Sequence, residues 1–174
     1  GKSTLARLLA KTIGFKYLDT GAMYRAITLR MLRKGFPTDA SPSRIRAFLA
    51  DTRMDIRRDR AGEIRVVVDG RDVTGDLRRP EVNAAVSVVS SIPEVRKSLG
   101  AMQREIGSRG GVVLDGRDIG SHVFPRARFK FFVDATLEER AKRRIHDAKE
   151  LSGKSKEEVR VEIEARDRRD STRA

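Results

Sequence analysis

Apolar residues recur at helical spacing from the start of the chain. Leu5, Leu8, Leu9 and Ile13 mark one face of a helix over Ser3–Ile13, with Gly14 as its stop, so that face is expected to be buried. Phe15–Asp19 reads as a short strand, and Thr20–Lys34 as a second helix ended by Gly35. Ser41-Pro42 is an N-cap and first-turn pair for a helix to about Ala50. The period then shortens. Met54–Ile56, Glu63–Val68 and Arg71–Val73, joined in part by an Asp69-Gly70 turn, predict a small antiparallel sheet inserted into an α/β body.

Helical spacing returns over Pro80–Ser90 and Pro93–Ser108. In the second of these, Val95, Leu99, Met102 and Ile106 form a stripe that belongs to the core rather than to a binding surface. Gly110-Gly111 separates it from Val112–Asp115, an apolar run ending in a carboxylate, as a buried parallel strand should. Arg128–Val133 is the next predicted strand. Thr136 with Glu139, and Ser155 with Glu158, fit capping boxes that open two charged helices. The second of these helices is weakly apolar and is expected to face solvent or to move.

Composition narrows the function classes. At 174 residues the chain suits one domain with a sizeable core and room for a small subdomain. It has no cysteine, which excludes disulfide frameworks, thiolate metal sites and cysteine nucleophiles. The two histidines, His122 and His146, are too few for a histidine metal cluster and read as incidental. No apolar run approaches a membrane span and no signal-peptide core opens the chain, so a soluble cytoplasmic protein without a membrane partner is expected. The net charge of +13 raises a nucleic-acid reading. Its distribution argues against one: the excess is +9 over residues 1–60, zero over 61–125 and +4 over 126–174, with no basic tail. Aromatics make up 5% and do not interleave with basic residues as base-stacking surfaces do. A site for two phosphate-bearing nucleotides would also draw on many arginines.

Two short motifs carry chemistry. Gly1-Lys2-Ser3-Thr4 is the back half of a phosphate-binding loop, in which backbone N–H groups wrap phosphate oxygens, a lysine neutralises charge and a hydroxyl holds Mg²⁺. The helix that follows would aim its N-terminus at the bound phosphate. Asp115-Gly116-Arg117-Asp118 directly follows the buried-type strand, where open α/β sheets bind ligands. Asp115 there can organise Mg²⁺ and Arg117 can fork onto phosphate. The same tetrapeptide recurs at Asp69–Asp72, between alternating strands, where it is a hairpin turn; chemistry is assigned to the second copy alone.

Leu18–Arg25, the inserted sheet with Val73-Thr74 and Arg79–Val82, Leu114–Gly120 and Arg166–Arg173 occur in an order that resembles bacterial-type cytidylate kinases along essentially the whole chain. The resemblance implies a P-loop nucleoside-monophosphate-kinase fold. Its central parallel sheet is flanked by helices, with a small antiparallel insert and a helical lid. It implies a core over residues 1–35 and 109–145, a monophosphate-binding region over 36–108 with the insert at about 54–75, and a lid region over 146–174. The implied activity is ATP-dependent, Mg²⁺-assisted phosphorylation of CMP or dCMP by a monomer without a nucleic-acid partner.

The resemblance also implies roles for the matching residues. Gly1, Lys2, Ser3 and Thr4 would hold ATP, with Lys2 bridging the β- and γ-phosphates, Ser3 ligating Mg²⁺ and Thr4 near the α-phosphate. Thr20 would contact the acceptor substrate, Arg25 and Arg117 would hold its phosphate, and Ser87, Arg96 and Asp118 would read cytosine. Arg166 and Asp170 would contact the sugar, Arg173 would reach phosphate, and Arg143 would reach the transferring phosphoryl group. Arg140 and Arg144 are expected to form solvated pairs on their helix. Asp19 is expected to orient Arg25 or the loop, or else to serve merely as a cap. Two other readings predict different behaviour: another P-loop small-molecule kinase, and a non-catalytic basic RNA-binding module whose affinity would fall steeply with salt. No strand precedes the loop and the chain stops just after the lid motif. The first strand and a C-terminal segment are therefore expected to be missing, with ATP binding and turnover impaired.

Overall fold

In the computed structural model, residues 1–60, 63–148 and 155–171 are described. They form seven α-helices and five strands that fall into two units, Gly1–Ala127 and Arg128–Ala174. In the first unit, α1 (Lys2–Thr12) leads through Gly14, at φ 71°, into β1 (Lys16–Asp19). α2 (Thr20–Arg33) follows without a gap, because the Asp19 carboxylate accepts from the Ala22 N–H at 3.2 Å and so caps it. α3 (Pro42–Ala50) precedes β2 (Met54–Arg58), β3 (Ile64–Val68) and β4 (Arg71–Asp72). α4 (Pro80–Val89) and α5 (Pro93–Ser108) lead to β5 (Val112–Asp115).

The sheets divide as the periodicity predicts. β1 and β5 pair in parallel, Lys16 opposite Val112 and Asp19 opposite Asp115, while β2, β3 and β4 form a separate antiparallel sheet in that order. α1 lies against β1 and β5. Leu18 enters a core with Met23, Ile27, Phe48, Val95 and Leu99, and a second cluster gathers Ala26, Leu29, Val66, Val73 and Val82. α2 feeds both clusters and is therefore buried around most of its circumference, as helices enclosed by neighbours are.

Two expectations fail. The stripe on α1 is not buried: Leu5 is 54% exposed and Leu8 62%, and Ala10 is the helix's buried residue. Periodicity fixes which positions share a face, but the two-stranded sheet offers too little surface to cover this one. Arg128–Val133 forms no strand; Phe131 and Phe132 are 79% and 92% exposed. A strand exists only with a hydrogen-bonding neighbour, and among the described residues none pairs with this segment.

The second unit contains α6 (Leu137–Ala148) and α7 (Lys156–Ser171), packed on each other, with Ala141 and Val159 buried. Of the two predicted capping boxes, the one at Ser155 forms in full and the one at Thr136 forms its N-cap half. Glu139 N–H donates to Thr136 Oγ1 at 3.3 Å, and Ser155 and Glu158 exchange bonds of 2.7 and 3.2 Å. No helix among the described residues is long and apolar enough to cross a membrane.

Candidate active site

The parallel register sets the site. Because Asp19 and Asp115 are opposite one another at the carboxyl ends of β1 and β5, the start of α2 and the turn after β5 lie at the same edge of the sheet. Asp115 is buried, and three of the chain's donors meet it. Lys2 Nζ forms an ion pair with Oδ1, the Tyr17 hydroxyl donates to Oδ2 at 3.2 Å, and Thr20 Oγ1 donates to the backbone carbonyl at 2.8 Å. The start of α1, the end of β5 and the start of α2 are thus joined at one carboxylate-bearing residue. Burial pushes the Tyr17 phenol well above its usual range, and the carboxylates of Asp19 and Asp115 push it further.

Glycines permit the approach. A Cβ on Gly116 would come 2.5 Å from Thr20 Oγ1 and 2.6 Å from Ile119, so any side chain there would drive the β5 turn away from α2. Gly21 leaves room for both Arg25 Nη1 and Asp19 Oδ1, which lie 3.0 and 3.1 Å from where its Cβ would stand. Ile119–Val123 then form a short π-helical turn. Asp118 precedes that turn and meets Arg96 of α5 at 2.7 Å, bringing together two of the three predicted base-reading residues. Ser87, the third, is buried on α4.

The other predicted positions are distributed as follows. Gly1 and Thr4 are exposed, Ser3 is half-buried beside Lys2, and Arg117 is exposed in the β5 turn. Arg143 lies on α6 in an i,i+4 pair with Glu139 at 2.7 Å, while Arg140 pairs with Asp167 of α7. Arg144, expected to form a solvated pair, and His146 lie on α6, Arg166 and Asp170 on α7, and the side-chain positions of all four fall outside the described residues, as does Arg173 altogether. Sequence reasoning passed over Tyr17. The signal was available in strand alternation, which sets residue 17 on the same face as residue 19.

Among the described residues no group of three or more histidine, cysteine, aspartate or glutamate side chains could hold a metal ion. Mg²⁺ in nucleotide sites is generally held by one or two protein oxygens, with phosphates and water supplying the remainder. Asp115 and Ser3 are hard oxygen donors of that kind, and Asp115 already faces a cation in Lys2.

A family profile described as cytidylate kinase matches residues 1–174. A protein named cytidylate kinase from Pelotomaculum thermopropionicum is 47% identical over 100% of this chain and 77% of its own length. One of the same name from Symbiobacterium thermophilum is 51% identical over 83% of this chain and 64% of its own. Another, from Caldanaerobacter subterraneus, is 50% identical over 99% of this chain and 75% of its own. With the profile matched end to end and the motif residues gathered at the ends of β1 and β5, the chain belongs to the cytidylate kinase family.

Proposed function

We propose that this protein phosphorylates CMP and dCMP at the expense of ATP, giving ADP and the corresponding diphosphate. The observation that carries the reading is the convergence of Lys2 and Thr20 on Asp115, beside the Arg96–Asp118 pair three residues further along the chain. An oxygen of the acceptor phosphate attacks the γ-phosphorus of ATP, and the bond from that phosphorus to the β–γ bridging oxygen breaks. The attacking group is already ionised at neutral pH, so no general base is needed, and positioning with charge neutralisation does the catalytic work.

Lys2, released from Asp115, would neutralise the β- and γ-phosphates. Gly1 and Thr4 would complete the ATP contacts. Ser3 and Asp115 would hold Mg²⁺, which when bound spreads the negative charge of the phosphate oxygens. Arg25 and Arg117 would clamp the acceptor phosphate, with Thr20 beside it. Cytosine presents an amino donor at N4 and acceptors at N3 and O2. Asp118 would accept from the amino group, and Arg96 and Ser87 would serve the acceptors. Uracil reverses the N3 and O4 pattern and would leave Asp118 facing an oxygen. Arg143, Arg166, Asp170 and Arg173 would act from the lid region.

An ADP-release assay with CMP, dCMP, UMP and AMP tests the reading. CMP and dCMP should be the favoured acceptors, and preference for AMP or a non-nucleotide would overturn the assignment. Asp118→Ala should narrow the gap between CMP and UMP by about tenfold or more, the discrimination a lost polar contact costs. An unchanged gap would remove Asp118 from base reading. Family membership leaves neither the RNA-binding nor the other-kinase reading favoured.

A further inference from the structure

One buried polar side chain at the site has no part in the transfer as described. Tyr17 is 6% exposed, and its ring is packed in the β1 face with the Arg7 guanidinium 5.6 Å from its centroid. Phenylalanine would fill the same volume. What tyrosine adds is a hydroxyl, delivered into the interior and spent on Asp115 Oδ2. The Ser3 hydroxyl is near enough to the same phenol to act against the rise in its pKa.

The two oxygens of Asp115 have partners of different kinds. Oδ1 is held by Lys2, a long side chain 42% exposed on the first residue of α1; Oδ2 is held by Tyr17, fixed in a strand that is hydrogen-bonded to Asp115's own strand. A polyphosphate draws an exposed, charged ammonium far more strongly than a neutral phenol buried in a strand. On nucleotide binding Lys2 is therefore the partner that leaves, and Tyr17 the one that stays. A buried carboxylate stripped of Lys2 would otherwise be free to change rotamer at the moment its geometry matters. Hydrogen bonds behind a metal ligand set the orientation of that ligand.

We infer that Tyr17 is a positioning residue, whose hydroxyl anchors Oδ2 of Asp115 so that Oδ1 faces the incoming Mg²⁺-nucleotide when Lys2 moves to phosphate. The inference rests on the proposed nucleotide role of Asp115.

Two measurements test it. The chain has two tyrosines and no tryptophan, so Tyr24→Phe leaves Tyr17 as the sole intrinsic emitter. A phenol donating to a carboxylate is quenched, and adding Asp115→Asn to that background should raise the emission; unchanged emission would overturn the contact. In calorimetric titrations, Tyr17→Phe should bind Mg·ATP about tenfold more weakly, as loss of an outer partner of a metal ligand typically does. CMP affinity, and ATP affinity in EDTA, should stay at the unmodified level. Equal Mg·ATP affinity in both proteins, or an equal loss with and without metal, would reject the positioning role. If the unmodified chain binds Mg·ATP but turns over no CMP, the proposed function fails, and the Tyr17 comparison still decides this inference. If the unmodified chain does not bind Mg·ATP, this inference falls with the nucleotide role of Asp115.

Discussion

Arg30 shows what a single residue can do that no motif announces. It is buried in α2, yet it donates to Asp69 at 2.6 Å, to Asp51 at 2.8 Å and to the Phe48 carbonyl at 3.2 Å, with its guanidinium 4.4 Å from the Phe48 ring centroid. One guanidinium thus ties α2 to the end of α3 and to the β3–β4 turn, a reach its fork of five donors allows. Asp69, at φ 50°, turns that hairpin, so the first Asp-Gly-Arg-Asp copy is the structural turn its flanking strands predict. Burial works to raise the Asp69 pKa, but hydrogen bonds from Arg30 and the Arg53 N–H prevail and lower it. Its folded pKa lies below its unfolded one. The stabilisation is therefore complete above the ordinary carboxylate range and is lost as pH falls through the folded value. Asp69→Asn keeps a side chain that tolerates positive φ. It should flatten the acid limb of stability, read as the urea midpoint against pH; an acid limb as steep as that of the unmodified protein would contradict the assignment.

Elements formed where the reason for them was local. The N-cap bond of α6 and the full capping box of α7 each lie within four residues of sequence, and both are legible for that reason. Ser155→Ala removes the side-chain acceptor for the Glu158 N–H and should cost α7 about 1 kcal/mol, visible as lower helicity by circular dichroism and a lower melting midpoint. A melting curve unchanged by the substitution would mean that tertiary packing alone holds the helix start. Legibility failed where an element needed a distant partner. Arg128–Val133 has the composition of a strand and no ladder, and the α1 stripe has the spacing of a core face and no cover. The resemblance implies a phosphate contact for Arg143, which here pairs with Glu139 on its own helix, while Arg140 reaches across to α7.

At the scale of the molecule, hydrogen exchange should separate the parts by what encloses them. Amides of Val66–Val68, in the middle strand of the three-stranded sheet and buried, should be among the slowest to exchange. Those of Phe129–Val133 should exchange near the intrinsic rate, since no ladder protects them. Strong protection at Phe129–Val133 would mean that the segment is paired in solution. The sequence by itself determined the order of elements as far as β5, the antiparallel insert, the strand carrying Asp115 and the family, because periodicity, turn chemistry and motif order all act over short stretches of chain. Tertiary structure alone decided that Lys2, Tyr17 and Thr20 meet at Asp115, that Arg96 meets Asp118 and that α2 lies between two cores. Each of those contacts depends on parallel register or helix packing between residues up to 113 apart, where no local rule acts.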